Sequence, residues 1–293
     1  MEEKVVCIYH KNCTDGTVSA AVLMKKYPKC KAFPLEHGYK PEDFQEILDQ
    51  VDSDTVVYIT DFSLRKEDNL KLIEKAKKVI NIDHHIGIKD QLKQLSEENA
   101  KFEFYFDNDH SGASLTYMYL FGEDIPKLIK LVEDKDIWKW RYGDETKYAN
   151  AYLILLTNKP EEVKELIDGD INDILEKGKI VSQFIDYLIN RFVEKSEETF
   201  LQIGSYKVKG YNTGLFQSEI GNILSEKYGE AVVLFNISGY NVKLSFRSCE
   251  GQEPSALELA KILGGGGHRN AAGALIPLKQ FFSMVIFQDG GEK

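Results

Sequence analysis

The sequence predicts an α/β protein with an N-terminal parallel sheet carrying helices on both faces, a linking helix, and a smaller C-terminal domain of mixed α/β type. Three observations predict it. Short β-branched runs alternate with helix-length stretches up to about Trp140, the pattern of strands joined by crossover helices. A charged stretch with apolar residues at four-residue spacing follows, near 160–198. Beyond Phe200 strand-like runs return, with turn signals between them.

Val5-Val6-Cys7-Ile8-Tyr9 reads as a buried strand, followed by a polar turn and a helix from about Thr17 to Tyr27. Cys7, inside that apolar run, is expected in the core. Thr55-Val56-Val57-Tyr58-Ile59 is a second strand, ending at Asp61, with a helix over about 64–77 behind it. Val79-Ile80-Asn81-Ile82 is a third, ending at Asp83. Phe102–Phe106 is a fourth, with a helix from about Gly112. Ile180, Phe184, Leu188 and Phe192 form one stripe of a long helix joining two domains, drawn at 1–195 and 200–293. In the second domain Tyr206–Tyr211, Ala231–Ile237 and Asn241–Arg247 read as strands, and Gly239-Tyr240 suits a hairpin turn. A helix near Ser255–Leu263 runs into Gly264-Gly265-Gly266-Gly267-His268.

Composition narrows the class. Hydrophobic residues make up 43% and charged residues 29% of the 293 positions, as in ordinary globular proteins. The longest apolar runs are too short to span a bilayer. The first residues lack the pattern of a signal peptide, so a cytoplasmic location is expected. The four cysteines include no CxxC pair, which argues against a zinc ribbon or a redox pair. Residues 200–293 carry nine Lys/Arg against eight Asp/Glu, and residues 1–199 carry 28 against 39, a net of −11. That field disfavours long duplex nucleic acid, which calls for a basic face. A small phosphate ligand remains compatible, because bound cations reverse the local field.

Three strands end in chelating residues: His10 to Asp15, then Asp61, then Asp83-His84-His85. Ligands of open parallel sheets bind at the carboxyl ends of the strands. Carboxylate oxygen with imidazole nitrogen suits Mn²⁺, Zn²⁺ or Fe²⁺ better than Ca²⁺. Three separate helix caps would account for each site singly; one shared site accounts for all three.

These residues carry a resemblance. His10 with Asp15-Gly16, Asp61 and Asp83-His84-His85 resemble the first three motifs of the DHH phosphoesterase superfamily. Leu131 to Trp138 resembles the fourth, and Gly264 to Gly273, with Arg247-Ser248 before it, is similar to the DHHA1 signature. The resemblance covers nearly the whole chain in the family's order. It implies a two-ion site, usually Mn²⁺ with Mg²⁺, Fe²⁺ or Zn²⁺ as alternatives, in which Asp61 bridges the ions. His10 would hold one ion; Asp15, His84 and Asp134 would hold the other, with Asp136 as the alternative to Asp134. Asp83 would orient a neighbouring imidazole, and His85 would be a ligand or a phosphate contact. Asp83, His84 and His85 would thus form the catalytic group.

Cys13 stands where many relatives have Asp. It would be a thiolate ligand favouring softer ions, or a residue that only lines the turn. Gly265, Gly266, Gly267 and His268 would bind substrate with Arg247, whose fork suits phosphate. Backbone N–H groups of the glycines could cradle a phosphate, helped by a helix start after His268; the alternative is a flexible loop after a helix end. His37 and His110 read as turn and helix-start residues. Trp138 and Trp140 fit a base-stacking pair or core.

The resemblance is nearest to the oligoribonuclease or cyclic-nucleotide phosphodiesterase group. It implies hydrolysis of short oligoribonucleotides to mononucleotides. The alternatives are a phosphoesterase of cyclic nucleotides, cyclic dinucleotides, pAp or polyphosphate, and a non-catalytic nucleotide sensor. The expected partner is short RNA or a nucleotide, with no membrane; monomer and homodimer both stay open.

Overall fold

Runs such as Val5–Tyr9 and Val56–Ile59 have no polar face, and a strand of that kind is stable only when covered on both sides. The computed structural model, which describes residues 3–287, provides that cover. Its first compact unit, Met1–Phe184, contains β1 (Lys4–His10), α1 (Thr14–Lys26), β2 (Lys31–Leu35), α2 (Pro41–Leu48), β3 (Thr55–Thr60), α3 (Lys66–Lys75), β4 (Lys78–Asp83), α4 (Lys89–Glu98), β5 (Phe102–Phe106), α5 (Gly112–Phe121), α6 (Lys127–Asp136), α7 (Asp144–Ile154), α8 (Pro160–Leu166) and most of α9 (Ile171–Lys195). The five strands lie in the order β2-β1-β3-β4-β5, all parallel. One apolar cluster joins α2, α3 and α4 to the face carrying Val6, Ile8, Val57 and Val79. Another joins α1 and α5 to the opposite face through Cys7, Tyr9, Tyr58 and Ile80. Cys7 is fully buried, as the strand pattern predicts.

This strand order has its switch point between β1 and β3, where crossovers leave in opposite directions and open a crevice at the carboxyl edge. Register does the rest. Tyr9 pairs with Thr60 and Thr60 with Ile82, so His10, Asp61 and Asp83 end three adjacent strands side by side.

The strand pattern of the sequence does not announce β2. Its Lys31-Ala32-Phe33-Pro34-Leu35 is short and contains a proline, which a sheet tolerates only at an edge; β2 is the edge strand. The expected single linking helix is two helices, broken at 167–170 around Gly169. The Ile180/Phe184 end of its stripe faces solvent, at 72% and 62% exposure, while Phe192 packs on Tyr211, Ile220 and Leu234.

The second unit, Ile185–Lys293, holds the rest of α9, then β6 (Thr199–Ile203), β7 (Tyr206–Asn212), α10 (Gln217–Tyr228), β8 (Val232–Ser238), β9 (Asn241–Arg247), α11 (Ala256–Ile262), β10 (Gly266–His268), β11 (Ala271–Pro277), α12 (Leu278–Met284) and β12 (Val285–Ile286). They form a mixed sheet ordered β10-β11-β9-β8-β7-β6-β12. The glycine run is neither a flexible loop nor a lead-in to a helix. Gly264 ends α11 at φ +75°, and Gly266–His268 turn back as β10 against Ala271–Gly273. A Cβ on Gly265 would lie 2.1 Å from the Gly273 carbonyl oxygen, so only glycine lets this close layer form. Among the described residues no helix is long and apolar enough to cross a membrane.

Gly178 on α9 likewise approaches the Tyr148 carbonyl of α7, where a Cβ would sit 1.9 Å from the oxygen. Gly178→Ala should therefore cost about 1–3 kcal/mol in denaturant unfolding. Gly87→Ala, with nothing within 4 Å of the added carbon, should stay near wild type; equal midpoints for the two variants would contradict this packing.

Candidate metal centre

Asp61 is the pivot of the crevice. It follows β3 with φ +52°, a left-handed conformation that Asp adopts more readily than most residues and that concentrates at functional sites. Its N–H is tied to the Ile82 carbonyl at 3.0 Å. Its side chain is only 2% exposed, and its two oxygens face different imidazoles: Oδ1 lies 3.3 Å from His84 Nε2 and Oδ2 lies 3.5 Å from His10 Nδ1.

Two donor groups share this edge. His10, Cys13 and Asp61 each offer an atom within 4.8 Å of the others, and so do Asp15, His84 and Asp136. Asp61, Asp83, His84 and His85 form a third such set. Asp15 enters from the first turn of α1, where Oδ1 accepts the Ala113 N–H at 3.0 Å. Gly112 permits that approach: a Cβ there would sit 2.6 Å from Asp61 Cβ and 2.8 Å from Asp15 Oδ2. The N-terminus of α5, capped by Ser111, thus presents its positive end to a buried acid.

Asp83 plays a different part. Its Oδ1 accepts the backbone N–H of His84 and of His85, at 2.7 and 3.0 Å, and lies 2.6 Å from His85 Nδ1. One carboxylate therefore shapes the turn and fixes the His85 ring.

The structure places Asp134 and Asp136 differently. Asp134 does not join the cluster. Its carboxylate accepts from Arg141 N, Tyr142 N and Thr146 Oγ1, at 2.9, 3.1 and 2.5 Å, and so builds the loop after α6. Although burial opposes it, those three hydrogen bonds hold the Asp134 carboxyl below the usual range. Asp136, two residues on and at the end of α6, lies 3.5 Å from His84 Nε2 instead. A two-residue step on a helix turns the side chain to the other side.

Electrostatics mark the cluster as a place for cations. Burial and then the charges of Asp136 and Asp61 push the Asp15 carboxyl up. Desolvation, only partly offset by His84, pushes Asp136 up to about 6. Burial opposes the charged form of His84, but the Asp61 hydrogen bond and the neighbouring acids raise it to about 10. Burial and three carboxylates push the Cys13 thiol up. Buried Asp15 Oδ2, Asp61 Oδ2 and Asp83 Oδ2 have no hydrogen-bond partner, each a cost of about 1–3 kcal/mol when left unmatched. Orphaned oxygens beside imidazoles suit divalent ions, so these residues fit the metals implied by the sequence.

Other side chains differ from expectation. His37 follows β2 and its ring lies 4.9 Å from Phe62 and 5.6 Å from His10; recognising β2 would have placed it at the carboxyl edge. Trp138 is 42% exposed rather than core, and both Trp138 and Trp140 have positive φ, at 57° and 55°. His110 pairs with Glu133 at 2.9 Å beside the α5 cap. In the second unit, Arg247 donates to Ser245, the Phe246 carbonyl and Ser218, joining β9 to α10. His268 is exposed on β10.

Comparison with known proteins agrees with this architecture. Residues 203–286 match the family model of the DHHA1 domain. An uncharacterized protein of Acanthamoeba polyphaga mimivirus, R106, is 24% identical over 296 aligned positions, covering 92% of this chain. The chain spans only 66% of the length of that relative. RecJ of Thermus thermophilus, solved with Mn²⁺, superposes with a TM-score of 0.55 at 14% identity, over 96% of this chain and 51% of that one. A pGpG-specific phosphodiesterase, PggH of Vibrio cholerae, gives 0.50 at 14% identity over 94% of each chain. At such identities the likeness establishes the fold.

Asp136→Asn should weaken Mn²⁺ binding in calorimetric titration about tenfold or more, while Asp134→Asn should keep it and lose about 1–3 kcal/mol of stability; the reverse ranking would restore Asp134 as a ligand. At pH 7 the ion-free His84 carries its proton, being raised to about 10, and a ligand imidazole must give it up. Affinity should therefore rise as pH climbs through neutrality toward 10, with net proton release seen in buffers of different ionisation enthalpy. A pH-independent affinity would exclude His84 as a ligand.

Proposed function

We propose that this chain, whose residues 203–286 match the DHHA1 domain and whose fold is shared with RecJ and the Vibrio phosphodiesterase, is a DHH/DHHA1-type phosphoesterase: a divalent-metal-dependent phosphodiesterase acting on short oligoribonucleotides. One observation carries the reading: the buried Asp61 turns its two oxygens to separate imidazoles, and its Oδ2, like one oxygen each of Asp15 and Asp83, has no hydrogen-bond partner. That is the arrangement a carboxylate shared by two cations would take. His10, Cys13 and Asp61 would hold one ion and Asp15, His84, Asp136 and Asp61 the other. Mn²⁺ is the first candidate, being the ion in one Thermus RecJ structure; Mg²⁺, Fe²⁺ and Zn²⁺ suit parts of the same donor set.

Bound cations would polarise the phosphoryl oxygens and make a water acidic enough to attack phosphorus. The chain's own groups do the positioning. Asp83 holds His85 through Nδ1 and, against burial, raises the imidazole to about 9, so in the protonated ring Nε2–H would donate to a phosphoryl oxygen. In the second unit, Gly266, Gly267, His268 and Arg247 would contact substrate, as the resemblance to the DHHA1 signature implies, while the Gly265 amide is already donated to the Ala260 carbonyl. The net −11 of residues 1–199 favours a short substrate over a long one. A second reading, hydrolysis of cyclic dinucleotides or their linear products, draws on the fold shared with the Vibrio enzyme.

With Mn²⁺ the protein should release mononucleotides from di- to pentanucleotide RNA faster than it turns over cyclic AMP, cyclic dinucleotides, pAp or polyphosphate. Asp61→Asn should abolish that release. Preferential turnover of another member of the panel would replace the substrate, and binding without turnover under any metal would make the chain a sensor.

A further inference from the structure

The two donor groups around Asp61 are chemically unequal. Asp15, His84 and Asp136 offer only oxygen and nitrogen, whereas His10, Cys13 and Asp61 offer nitrogen, sulfur and oxygen within 4.8 Å of one another. Asp61 Oδ2 belongs to the second group by its 3.5 Å approach to His10 Nδ1, and it is buried without a hydrogen-bond partner. An unsatisfied buried oxygen beside a thiol and an imidazole is what a cation would complete.

The turn that carries the sulfur is built rather than loose. Asn12 has φ 58° and Asn158 φ 66°. The two residues bond each other reciprocally: Asn12 N–H donates to Asn158 Oδ1 at 2.8 Å, and Asn158 Nδ2 donates to Asn12 Oδ1 at 2.7 Å. Thr17 locks the other side, with N–H and Oγ1 both donating to the Cys13 carbonyl, at 3.0 and 2.7 Å. Gly16 completes the fit, since a Cβ there would lie 2.5 Å from the His10 carbonyl oxygen. Such bracing fixes the spacing of His10 and Cys13, which a turn that merely passed the site would not require.

We infer that Cys13 is a thiolate ligand, and that the His10–Cys13–Asp61 half of the centre selects a thiophilic divalent ion of the Zn²⁺ or Co²⁺ class while the Asp15–His84–Asp136 half takes a harder ion such as Mn²⁺. Soft sulfur ligands discriminate in this way where carboxylates do not. On ligation the thiol proton leaves to bulk water and the sulfur lone pair enters the bond, so no oxidant or reductant is involved. The inference rests on the metal-centre reading above, but it is read optically and independently of any hydrolysis.

The test is an anaerobic titration of the full-length, reduced, ion-free protein with Co²⁺. A near-ultraviolet thiolate-to-cobalt charge-transfer band should grow to saturation. Cys249→Ser should keep it, and Cys13→Ser should lose it, with Co²⁺ affinity of that half lowered about tenfold or more and Mn²⁺ binding, followed by electron paramagnetic resonance, retained. Cys13→Asp should turn the preference of that half toward Mn²⁺. Co²⁺ bound without the band, no Co²⁺ bound at all, or a band that survives Cys13→Ser would each overturn the inference. The band present in a protein that cleaves no RNA would leave it standing and remove only the proposed substrate.

Discussion

Carboxylates repel one another most where water is excluded, and this fold brings Asp15, Asp61 and Asp136 to one edge along with His10, His84 and His85. The rest of the first unit can be understood as what holds that edge together. The α5 N-terminus faces Asp15 through the Ala113 amide. Burial alone would raise the Asp61 carboxyl, but the imidazoles that flank it keep it well below the usual range. What these partners leave unmatched are single oxygens of Asp15, Asp61 and Asp83. Those oxygens are the remainder of unsatisfied charge that cations would neutralise.

The same constraint explains why unusual backbone conformations gather here. Asn12, Asp61, Trp138, Trp140 and Asn158 all have positive φ, and they lie in turns that carry or brace the cluster or follow directly from it. Strain of this kind persists only where neighbours over-determine it. Asp134 supplies one such constraint: its carboxylate and carbonyl gather the N–H groups of Lys139, Trp140, Arg141 and Tyr142. Asp83 supplies another through three contacts to a single oxygen. Two acids of the motifs thus act as scaffold, and their neighbours Asp136 and His84 face the centre.

Much of this is legible in the sequence, and what is not legible has physical causes. Buried parallel strands announce themselves as unbroken β-branched runs, so β1, β3 and β4 and their chelating ends can be read directly. An edge strand needs no such run, so β2 with its Pro34 escapes, and His37 with it. Asp134 and Asp136 sit in one acidic stretch, and only the point where α6 ends decides which of them faces the cluster. A glycine run suggests freedom of φ, yet Gly265 and Gly267 serve close strand packing against β11. Gly112 gives no signal at all, because its role depends on Asp15 and Asp61 arriving from distant parts of the chain.

If Asp61 is shared by two cations, anomalous diffraction at both absorption edges from crystals grown with Co²⁺ and Mn²⁺ together will show it most directly. Two peaks are expected to flank Asp61, one beside His10 and Cys13 and one beside Asp15, His84 and Asp136, with Asp134 still bonded to Arg141, Tyr142 and Thr146. A single peak that leaves Asp61 uncoordinated, or a peak held by Asp134, would contradict that sharing.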